Sequence, residues 1–548
     1  MLQILCICSL SLAGVAHAAE WSIPAEAASI RPLIGGGNLY LGGEVGEFVS
    51  IAQGGQYEFI VRASGSEADD VWPVMALSVD GMEHRRVSVS SADAADYSVA
   101  VTLDPGVYAL SAAFRNDSTG LFEDRNLYVK QLTLKAPQGG PAPETSNGEA
   151  WLKDAQRRET EVIAASGKRI HDLRTGEASL RFVTADGAPV AGARVTLHLD
   201  RHAFLFGCNI AGWGKLKSAS LNAEYKRLFD RLFNYATMTF YWRFLEPEKG
   251  KRDYDYPDQV LKWCEDHDVA VKGHPLLWAR SDSLPPWSKG LPAEDLQREH
   301  VKDLLMRYQG RIGFWDVVNE PANEPGIPLR AAHHWAREYD PAAKLIVNEY
   351  GILAATHEDF YQLLEQANRD KVPFDAVGIQ GHAPTDMAFL LDRVWQVLDL
   401  YAQLGKPLHI TEFTPPSDGS AVKGALWRGT WTPEVQAEYA EQFYRVCFSH
   451  PAVDAISWWD FSDEGAWVKG GGMLTADMKP KPVYEALQRL IHEEWTTRVE
   501  GATDDNGLYS FRGYFGRYSG TVLSGGAETA FTFNVVKGAR SPIEVQVP

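Results

Sequence analysis

Short segments in which apolar and polar residues alternate dominate the first quarter of the chain. Residues 57–62, 97–101 and 107–110 follow this period of two, and Asp104-Pro105-Gly106 supplies a turn. Alternation over strand length, bounded by turn residues, is typical of antiparallel sheets with one buried face. We therefore predict a β-sandwich module over residues 20–136.

Three further segments flank the longest part of the chain. Residues 137–149 are rich in Pro, Gly and polar side chains, which predicts a linker. Residues 150–200 begin with a helical pattern and continue with two strand-like stretches, and we interpret them as a helix and β lead-in. Residues 494–548 are polar and strand-like, with a turn at 504–507, and are predicted to form a small β appendage.

Between about residues 204 and 490, short apolar segments alternate with amphipathic helical ones such as 224–233, 359–368 and 433–448. Eight strand–helix units predict an α/β fold, a (β/α)8 TIM barrel over residues 201–493. The alternative, an open doubly wound sheet, is disfavoured because no Gly-rich phosphate loop follows any strand. The predicted strands are 204–207, 236–241, 270–274, 313–319, 345–350, 376–382, 408–412 and 455–460.

Two of these strands end in glutamate. The fourth runs into Asn319-Glu320 and the seventh into Glu412, and the C-terminal strand ends of such a barrel carry the active site. Retaining glycosidases need one protonated and one ionised carboxyl on opposite sides of the scissile bond. Asn319 is placed to hydrogen-bond a sugar 2-hydroxyl. The plainer alternative for a single glutamate at a strand end is a partner in a surface ion pair.

Four motifs in this region resemble those of glycoside hydrolase family 10, the xylanases. They are KGHPLLW at 272–278, WDVVNEP at 315–321, GIQGH at 378–382 and HITE at 409–412. The resemblance spans about residues 204–490. It implies retaining endo-1,4-β-xylanase activity that needs no cofactor for catalysis.

Site roles follow from the resemblance position by position. It implies that Glu320 is the acid/base, that Glu412 is the nucleophile, and that His382 hydrogen-bonds the nucleophile. The same resemblance implies substrate-binding roles for His274, Trp278, Asn319 and Gln380, and an aromatic floor of Trp459 and Trp467. Core packing is the alternative for both histidines and for Trp459 and Trp467. The strand-end Glu349 is either a supporting acid behind the site or a paired acid.

The sequence departs from the family after the second strand. The family usually carries Glu-Asn-x-x-Lys-Trp there, and its polar residues bind the second sugar. Thr237, Met238 and Tyr241 stand at those positions, and Ala279 stands where the family commonly has His. Since buried polar contacts discriminate sugars well, xylan is the leading substrate and another or heavily decorated β-glycan is the alternative. A non-catalytic polysaccharide-binding protein would be expected to lack one carboxylate, and both are present.

The N-terminal module contains FRND at 114–117 and DRNLYV at 124–129. These stretches resemble the calcium-dependent xylan-binding modules of families 36 and 60. The resemblance implies a calcium ion held by Asn116, Asp117 and Asp124, because Ca²⁺ prefers carboxylate and amide oxygens. A turn of solvated Asn and Asp residues is the alternative.

The formal net charge of −19 argues against a nucleic-acid partner, which needs a basic surface. The expected partner is a plant cell-wall polysaccharide of the xylan type. Residues 1–18 hold an apolar run that ends in Ala16-His17-Ala18, which predicts a signal peptide and a secreted protein, extracellular or periplasmic. No basic residue precedes the run, so a buried N-terminal helix is the alternative. No later segment is expected to span a membrane.

Overall fold

The computed structural model describes residues 18–32, 37–40, 43–68, 70–116, 124–355, 357–382, 384–539 and 542–547. Asp117 and all of the predicted signal peptide except Ala18 lie outside these ranges. The chain divides into two compact units, residues 1–157 and 158–548, and the boundary falls within the helix Gly148–Arg174.

The first unit is a β-sandwich, which confirms the predicted β module. Its strands alternate buried and exposed residues, as Gly55–Ser66 does, and the buried faces of two sheets share one core that includes Tyr57, Phe59 and Leu110. The first sheet has the order Glu20–Pro24, Asn126–Lys135, Gly55–Ser66, Ala95–Leu103, with Asn38–Leu39 beside Asn126–Lys135. The second has the order Glu144–Thr145, Gly43–Ile51, Gly106–Phe114, Val74–Val79, Met82–Ser88.

The stretch predicted as a linker is partly structured. Glu144–Thr145 pairs with Gly43–Ile51, and the Trp21 indole donates a hydrogen bond to Thr145 Oγ1 at 2.8 Å. The helix Gly148–Arg174 then begins inside the predicted linker. These residues therefore belong to the edge of the sandwich and to the helix that follows it.

The second unit contains the predicted barrel. The eight barrel strands and the short strand Leu277–Trp278, which pairs with the fourth, form one parallel sheet. Pairing of Lys272 with Phe314 joins the third strand to the fourth and closes the ring. The sixth and seventh strands are buried at every position, as expected where helices cover a parallel sheet. The eight strands are Leu205–Asn209, Tyr235–Thr239, Ala270–His274, Phe314–Asn319, Lys344–Glu349, Ala376–Gly381, Leu408–Phe413 and Val453–Trp458.

Helices connect the strands, and their starts follow from the sequence. Thr432 caps the helix Pro433–Phe448 by accepting a hydrogen bond from Val435 N at 3.3 Å, and Pro433 occupies the first helical position. Short 3-10 turns lie at Pro286–Ser288 and Leu426–Arg428. The α-helices are Ala219–Leu232, Trp242–Leu245, Asp255–Asp266, Glu294–Arg307, Leu329–Tyr339, Ile352–Ala355, Glu358–Arg369, Leu391–Ala402, Pro433–Phe448 and Pro482–Arg489.

The predicted lead-in and the predicted C-terminal appendage are not separate elements. Their strands pair with each other and enclose one core, which includes Phe182, Val195, Phe511 and Tyr518. One sheet has the order Leu508–Tyr514, Thr175–Val183, Ile543–Gln546. The other has the order Arg498–Ala502, Arg194–His202, Gly516–Ser524, Ala527–Val535. This pairing corrects the predicted division, because both ends of the unit build a second β-sandwich.

The three cysteines of the described chain, Cys208, Cys264 and Cys447, are buried free thiols. Among the helices described, none combines the length and the apolar character that a membrane crossing requires.

Candidate active site

Glu320 follows the last residue of the fourth barrel strand. Its backbone is left-handed, with φ of 55°, and its N–H donates to Asn348 O at 2.7 Å. A left-handed conformation is unfavourable for a residue with a side chain and persists where the surroundings enforce it. The side chain is 5% exposed, so the carboxyl is held at the rim of the barrel.

Neutral donors hold the Glu320 carboxyl. Trp278 Nε1 donates to Oε2 at 2.9 Å, and Gln380 Nε2 donates to Oε1 at 3.0 Å. Burial raises the pKa of Glu320, and the negative charge of Glu412 adds to this against the two hydrogen bonds. The raised pKa favours a protonated Glu320, which is the state required of a general acid.

Glu412 lies at the end of the seventh strand and is 4% exposed. Asn348 Nδ2 donates to Oε1 at 2.8 Å, and His382 Nε2 lies 3.0 Å from Oε2. Burial alone would raise the pKa of Glu412, but the His382 hydrogen bond and the positive charges of His274, His382 and Lys272 outweigh it and lower the pKa. The carboxylate is therefore kept ionised.

The two buried carboxyl groups thus shift in opposite directions. The Gln380 side chain donates to Glu320, and the Gln380 backbone pairs with that of Glu412 on the adjacent strand. Gln380 thus connects the two glutamates. One carboxyl able to give a proton beside one able to attack is the arrangement that separates an acid from a nucleophile. The site can therefore carry out acid-assisted nucleophilic displacement.

Asn348 is the residue whose part in the site sequence reasoning did not identify. Its Nδ2 donates to both Glu412 Oε1 and Asn319 Oδ1 at 2.8 Å, and its Oδ1 accepts from Thr411 Oγ1 at 2.6 Å. It is fully buried. Its position at the end of the fifth strand, in the same rim as the two glutamates, was the available signal.

Glu349 supports the loop that follows Glu320. Its Oε2 accepts from Ala322 N at 2.9 Å and Asn323 N at 3.3 Å, and its Oε1 accepts from Asn323 Nδ2 at 2.7 Å and Tyr350 N at 2.9 Å. Burial, against these hydrogen bonds, and the charge of Glu320 raise the pKa of Glu349 to about 7. Of the two roles that the sequence left open, the contacts favour the supporting acid.

A charged cluster lies inside the barrel next to the two buried glutamates. His274 Nδ1 lies 2.7 Å from Asp316 Oδ2, and Lys272 Nζ lies 2.8 Å from the same oxygen. All three side chains are buried. Since Asp316 accepts at Nδ1, the Nε2 side of His274 is left for other contacts.

The two predicted floor tryptophans line the site beside both histidines. The Trp459 ring centroid lies 5.4 Å from that of His274, and the Trp467 centroid lies 4.6 Å from that of His382. Trp467 is 57% exposed, and Asp460 holds its backbone N–H at 2.8 Å. An exposed indole fixed at its backbone is suited to stacking on a sugar ring.

The three positions that depart from the family differ in what they reach. Thr237 and Met238 are 0% and 3% exposed. Tyr241 is half-buried, and its ring lies 5.7 Å from the Trp278 ring and 5.9 Å from the His274 ring. Burial and the charges of Glu412 and Glu320 raise the pKa of Tyr241. Of the three, Tyr241 is the one that borders the catalytic pair.

The predicted calcium residues fare differently in the first unit. The Asn116 side chain is held in place, since its Oδ1 accepts from Val74 N at 2.6 Å and its Nδ2 donates to Trp72 O at 2.9 Å. Asp124 is exposed, and Asp117 lies outside the described residues. Within the ranges that the structure covers, no three His, Cys, Asp or Glu side chains group so as to hold a metal ion.

The fold and the rim define a class of protein, a (β/α)8 barrel with a buried acid and a buried carboxylate at the C-terminal ends of strands four and seven. Comparison with known families agrees with this class. The sequence pattern of glycosyl hydrolase family 10 matches residues 198–490, more than half of the chain, and the chain belongs to that family. The pattern of CBM60, a Ca-dependent xylan-binding carbohydrate-binding module, matches residues 58–147.

Curated relatives match at low identity. Anti-sigma-I factor RsgI6 of Acetivibrio thermocellus is 28% identical over 392 residues, covering 69% of this chain and 49% of that protein. Endo-1,4-beta-xylanase 2 of Arabidopsis thaliana is 27% identical over 396 residues, covering 68% of this chain and 34% of that protein. Endo-1,4-beta-xylanase B of Thermotoga neapolitana is 28% identical over 304 residues, covering 50% of this chain and 85% of that protein. The chain thus spans half or less of the length of the first two.

Proposed function

We propose that this protein is a retaining endo-1,4-β-xylanase that uses Glu320 as acid/base and Glu412 as nucleophile. The observation that carries the proposal is the opposite pKa shift of two buried carboxyl groups, raised at Glu320 and lowered at Glu412. Family membership and two relatives named as endo-1,4-beta-xylanases support it.

The reaction has two steps. Glu320 gives its proton to the glycosidic oxygen while Glu412 attacks the anomeric carbon, so the leaving sugar departs and a glycosyl ester forms on Glu412. Glu320, now ionised, takes a proton from water as that water displaces Glu412 from the same carbon. Two inversions give net retention, and both carboxyl groups return to their starting states.

The substrate is tested with a panel of xylan, mannan, mixed-linkage glucan and cellulose, with new reducing ends as the readout. We expect xylan to be cleaved fastest. Glu412→Ala should abolish turnover, and external azide should partly restore it with an inverted product, because a small anion fills the space of the lost nucleophile. Glu338→Ala, at an exposed acid on a barrel helix, is the matched control and should keep full activity. Full activity with retention in Glu412→Ala would remove Glu412 from its role.

A second candidate function is the same mechanism on another or heavily decorated β-glycan. The burial of Thr237 and Met238 favours it, because neither side chain lies on an open surface for a second sugar. Rates on xylotriose, xylohexaose and branched oligosaccharides separate the two candidates. Efficient cleavage of xylotriose at the rate of branched substrates would remove this second candidate. A non-catalytic binding role is disfavoured, because both carboxyl groups are present and separately tuned.

For the N-terminal module we propose calcium-dependent binding of xylan. The match to CBM60 over residues 58–147 supports it, as does the exposed carboxylate of Asp124. Asn116 Oδ1 accepts one hydrogen bond and keeps a second lone pair for the ion. The full-length Glu412→Ala variant should be retained on insoluble xylan with calcium and released by chelator, and Asp124→Ala should weaken retention. Retention unchanged in chelator would exclude the calcium part.

We also propose that the protein is secreted, to the periplasm or the extracellular space. The apolar run at residues 2–15, followed by Ala16-His17-Ala18, supports removal of a leader after Ala18. N-terminal sequencing of the exported protein should give Ala19 first. Recovery of the uncut chain inside the cell alone would contradict this.

A further inference from the structure

A group of basic and aromatic side chains leads outward from Glu320. Trp278, which donates to Glu320, has the Tyr241 ring 5.7 Å from its own, and the Phe244 ring lies 6.2 Å beyond Tyr241. The guanidinium carbon of Arg280 lies 5.3 Å from the Trp278 ring centroid, and that of Arg243 lies 5.6 Å from the Phe244 centroid. We call these five residues the arginine–aromatic rim.

Two members of the arginine–aromatic rim are strongly exposed to solvent. Phe244 is 71% exposed, and Arg280 is 49% exposed. Most of the Phe244 ring stays in water, so burial of this ring contributes little to folding. Its position suits an aromatic face for a bound ring, because the apolar C–H groups of a pyranose stack on such faces.

The loop that carries Arg280 is fixed. Ser283 Oγ donates to Trp278 O at 3.0 Å and to Arg280 O at 2.8 Å. Arg243 Nη1 donates to Asp282 O at 2.7 Å, which ties the short helix Trp242–Leu245 to this loop. Arg243, on this helix, and Arg280, on the loop, are thus held next to each other's segment.

Arg280 keeps hydrogen-bonding capacity. Its Nε lies 3.0 Å from Asp282 Oδ1 and 3.1 Å from Oδ2, whereas Nη1 and Nη2 make no hydrogen bond to the described part of the chain. An exposed ion pair of this kind contributes little to stability. The planar fork of a guanidinium matches a carboxylate with two parallel hydrogen bonds, which is a geometry that neutral sugars do not offer.

At three positions the family has polar side chains that bind the second sugar. The residues at these positions in this chain do not offer such polar contacts. Thr237 and Met238 are buried, and Tyr241 presents a ring. The charges of Glu412, Glu320 and Asp282 raise the pKa of Tyr241 together with burial, and that of Arg280 opposes them. The Tyr241 ring and the Arg280 guanidinium both lie next to the Trp278 ring, whose Nε1 donates to Glu320, so the arginine–aromatic rim begins beside that carboxyl group.

We propose that the arginine–aromatic rim binds an acidic sugar, a uronic acid carried as a branch on the β-1,4-linked chain. Tyr241 and Phe244 stack on its ring, and Arg280 binds its carboxylate. The inference rests on the proposed glycosidase function and names the substrate class of that site. Because the chain carries a formal charge of −19, an acidic substrate needs such a local cationic group.

The test compares kcat/KM on three xylo-oligosaccharides of equal backbone length: unbranched, arabinose-branched and uronic-acid-branched. In Arg280→Gln we expect the ratio of the uronic-branched to the unbranched rate to fall about three- to tenfold, as for loss of a partly exposed charge-assisted contact. The ratio for the arabinose branch should not change. Higher ionic strength should reduce the wild-type preference.

Arg298→Gln is the matched control, because Arg298 has the same 49% exposure and pairs with a 55% exposed carboxylate, Glu338, as Arg280 does with Asp282. Its ratios should equal the wild-type ratios. Arg280→Lys keeps the charge without the fork, and an intermediate ratio is expected. A ratio in Arg280→Gln within about twofold of wild type, or an equal loss on the arabinose branch, would overturn the inference alone. Failure of the wild type to cleave any of the three would overturn the proposed function as well.

Discussion

Replacing Asn348 by Ala tests how the nucleophile is positioned. The change removes the 2.8 Å hydrogen bond to Glu412 Oε1 and the 2.8 Å bond to Asn319 Oδ1. A hydrogen bond to a charged group contributes about 1.5–3 kcal/mol. Since about 1.4 kcal/mol corresponds to a factor of ten, kcat/KM should fall about 10- to 100-fold.

The pH dependence has a definite sign. The Asn348 amide stabilises ionised Glu412, so its loss raises the pKa of Glu412, and a higher pH is then needed to ionise the nucleophile. The acid limb of kcat/KM against pH, measured with an activated aryl xyloside, should therefore move to higher pH. Asn348→Asp should move it further, because a second carboxylate would face Glu412.

Two controls separate positioning from damage to the fold. Thr411→Val removes the hydroxyl that holds Asn348 Oδ1 but leaves the Glu412 contact, and it should change the rate less than Asn348→Ala. Thermal unfolding of each variant checks that the barrel is intact. If Asn348→Ala keeps kcat/KM within about twofold and its acid limb does not move, the reasoning is refuted.

Three other predictions concern the acid, its neighbour and the barrel packing. Glu320→Ala should slow substrates with poor leaving groups by about 10²- to 10⁴-fold and activated aryl substrates much less, and equal losses would argue against Glu320 as the acid. Glu349 has a pKa of about 7 in the folded state, above its ordinary value of 4.5, so the folded state binds a proton that the unfolded state has lost between these pH values. The free energy of unfolding should therefore fall by up to about 3 kcal/mol as the pH rises from 4.5 to 7. Glu349→Gln should remove that fall in urea titrations run at pH 5 and pH 8, and an unchanged slope would contradict the shift. Gly273→Ala should destabilise the folded protein by about 1–3 kcal/mol, because a Cβ there would lie 2.1 Å from the Trp315 ring. Gly167→Ala, on an exposed helix face with open space, is the control and should stabilise the protein by about 0.5–1 kcal/mol in the same assay.

The barrel was predictable because its signals are local. The fourth strand was predicted at 313–319 and runs Phe314–Asn319, since a continuous apolar segment and a following turn mark it. The two glutamates were predictable for the same reason, because Glu320 directly follows such a segment and Glu412 lies at the end of one. Strand boundaries moved by at most two residues, as in the second strand, predicted at 236–241 and found at Tyr235–Thr239.

What escaped prediction depends on contacts between distant segments. Asn348 meets Asn319, 29 residues away, and Glu412, 64 residues away, and no periodicity reports that meeting. The pairing of Arg194–His202 with Gly516–Ser524 joins strands more than 300 residues apart, so the lead-in and the tail could not be assigned to one sandwich. The hydrogen bonds of the Asn116 side chain to Val74 and Trp72, more than 40 residues away, could not be predicted either.

The opposite pKa shifts of the two glutamates depend on residues inside the barrel as well as on those at the C-terminal strand ends. Burial raises the pKa of both, and neutral N–H donors contact both, so neither factor distinguishes them. His274 lowers the pKa of both carboxyl groups, so the difference lies in Lys272, which is also bound to Asp316, and in the direct contact from His382, both of which lower the pKa of Glu412. Lys272 is buried on the third strand. A residue with no path to the substrate thereby helps decide which carboxyl attacks and which gives the proton.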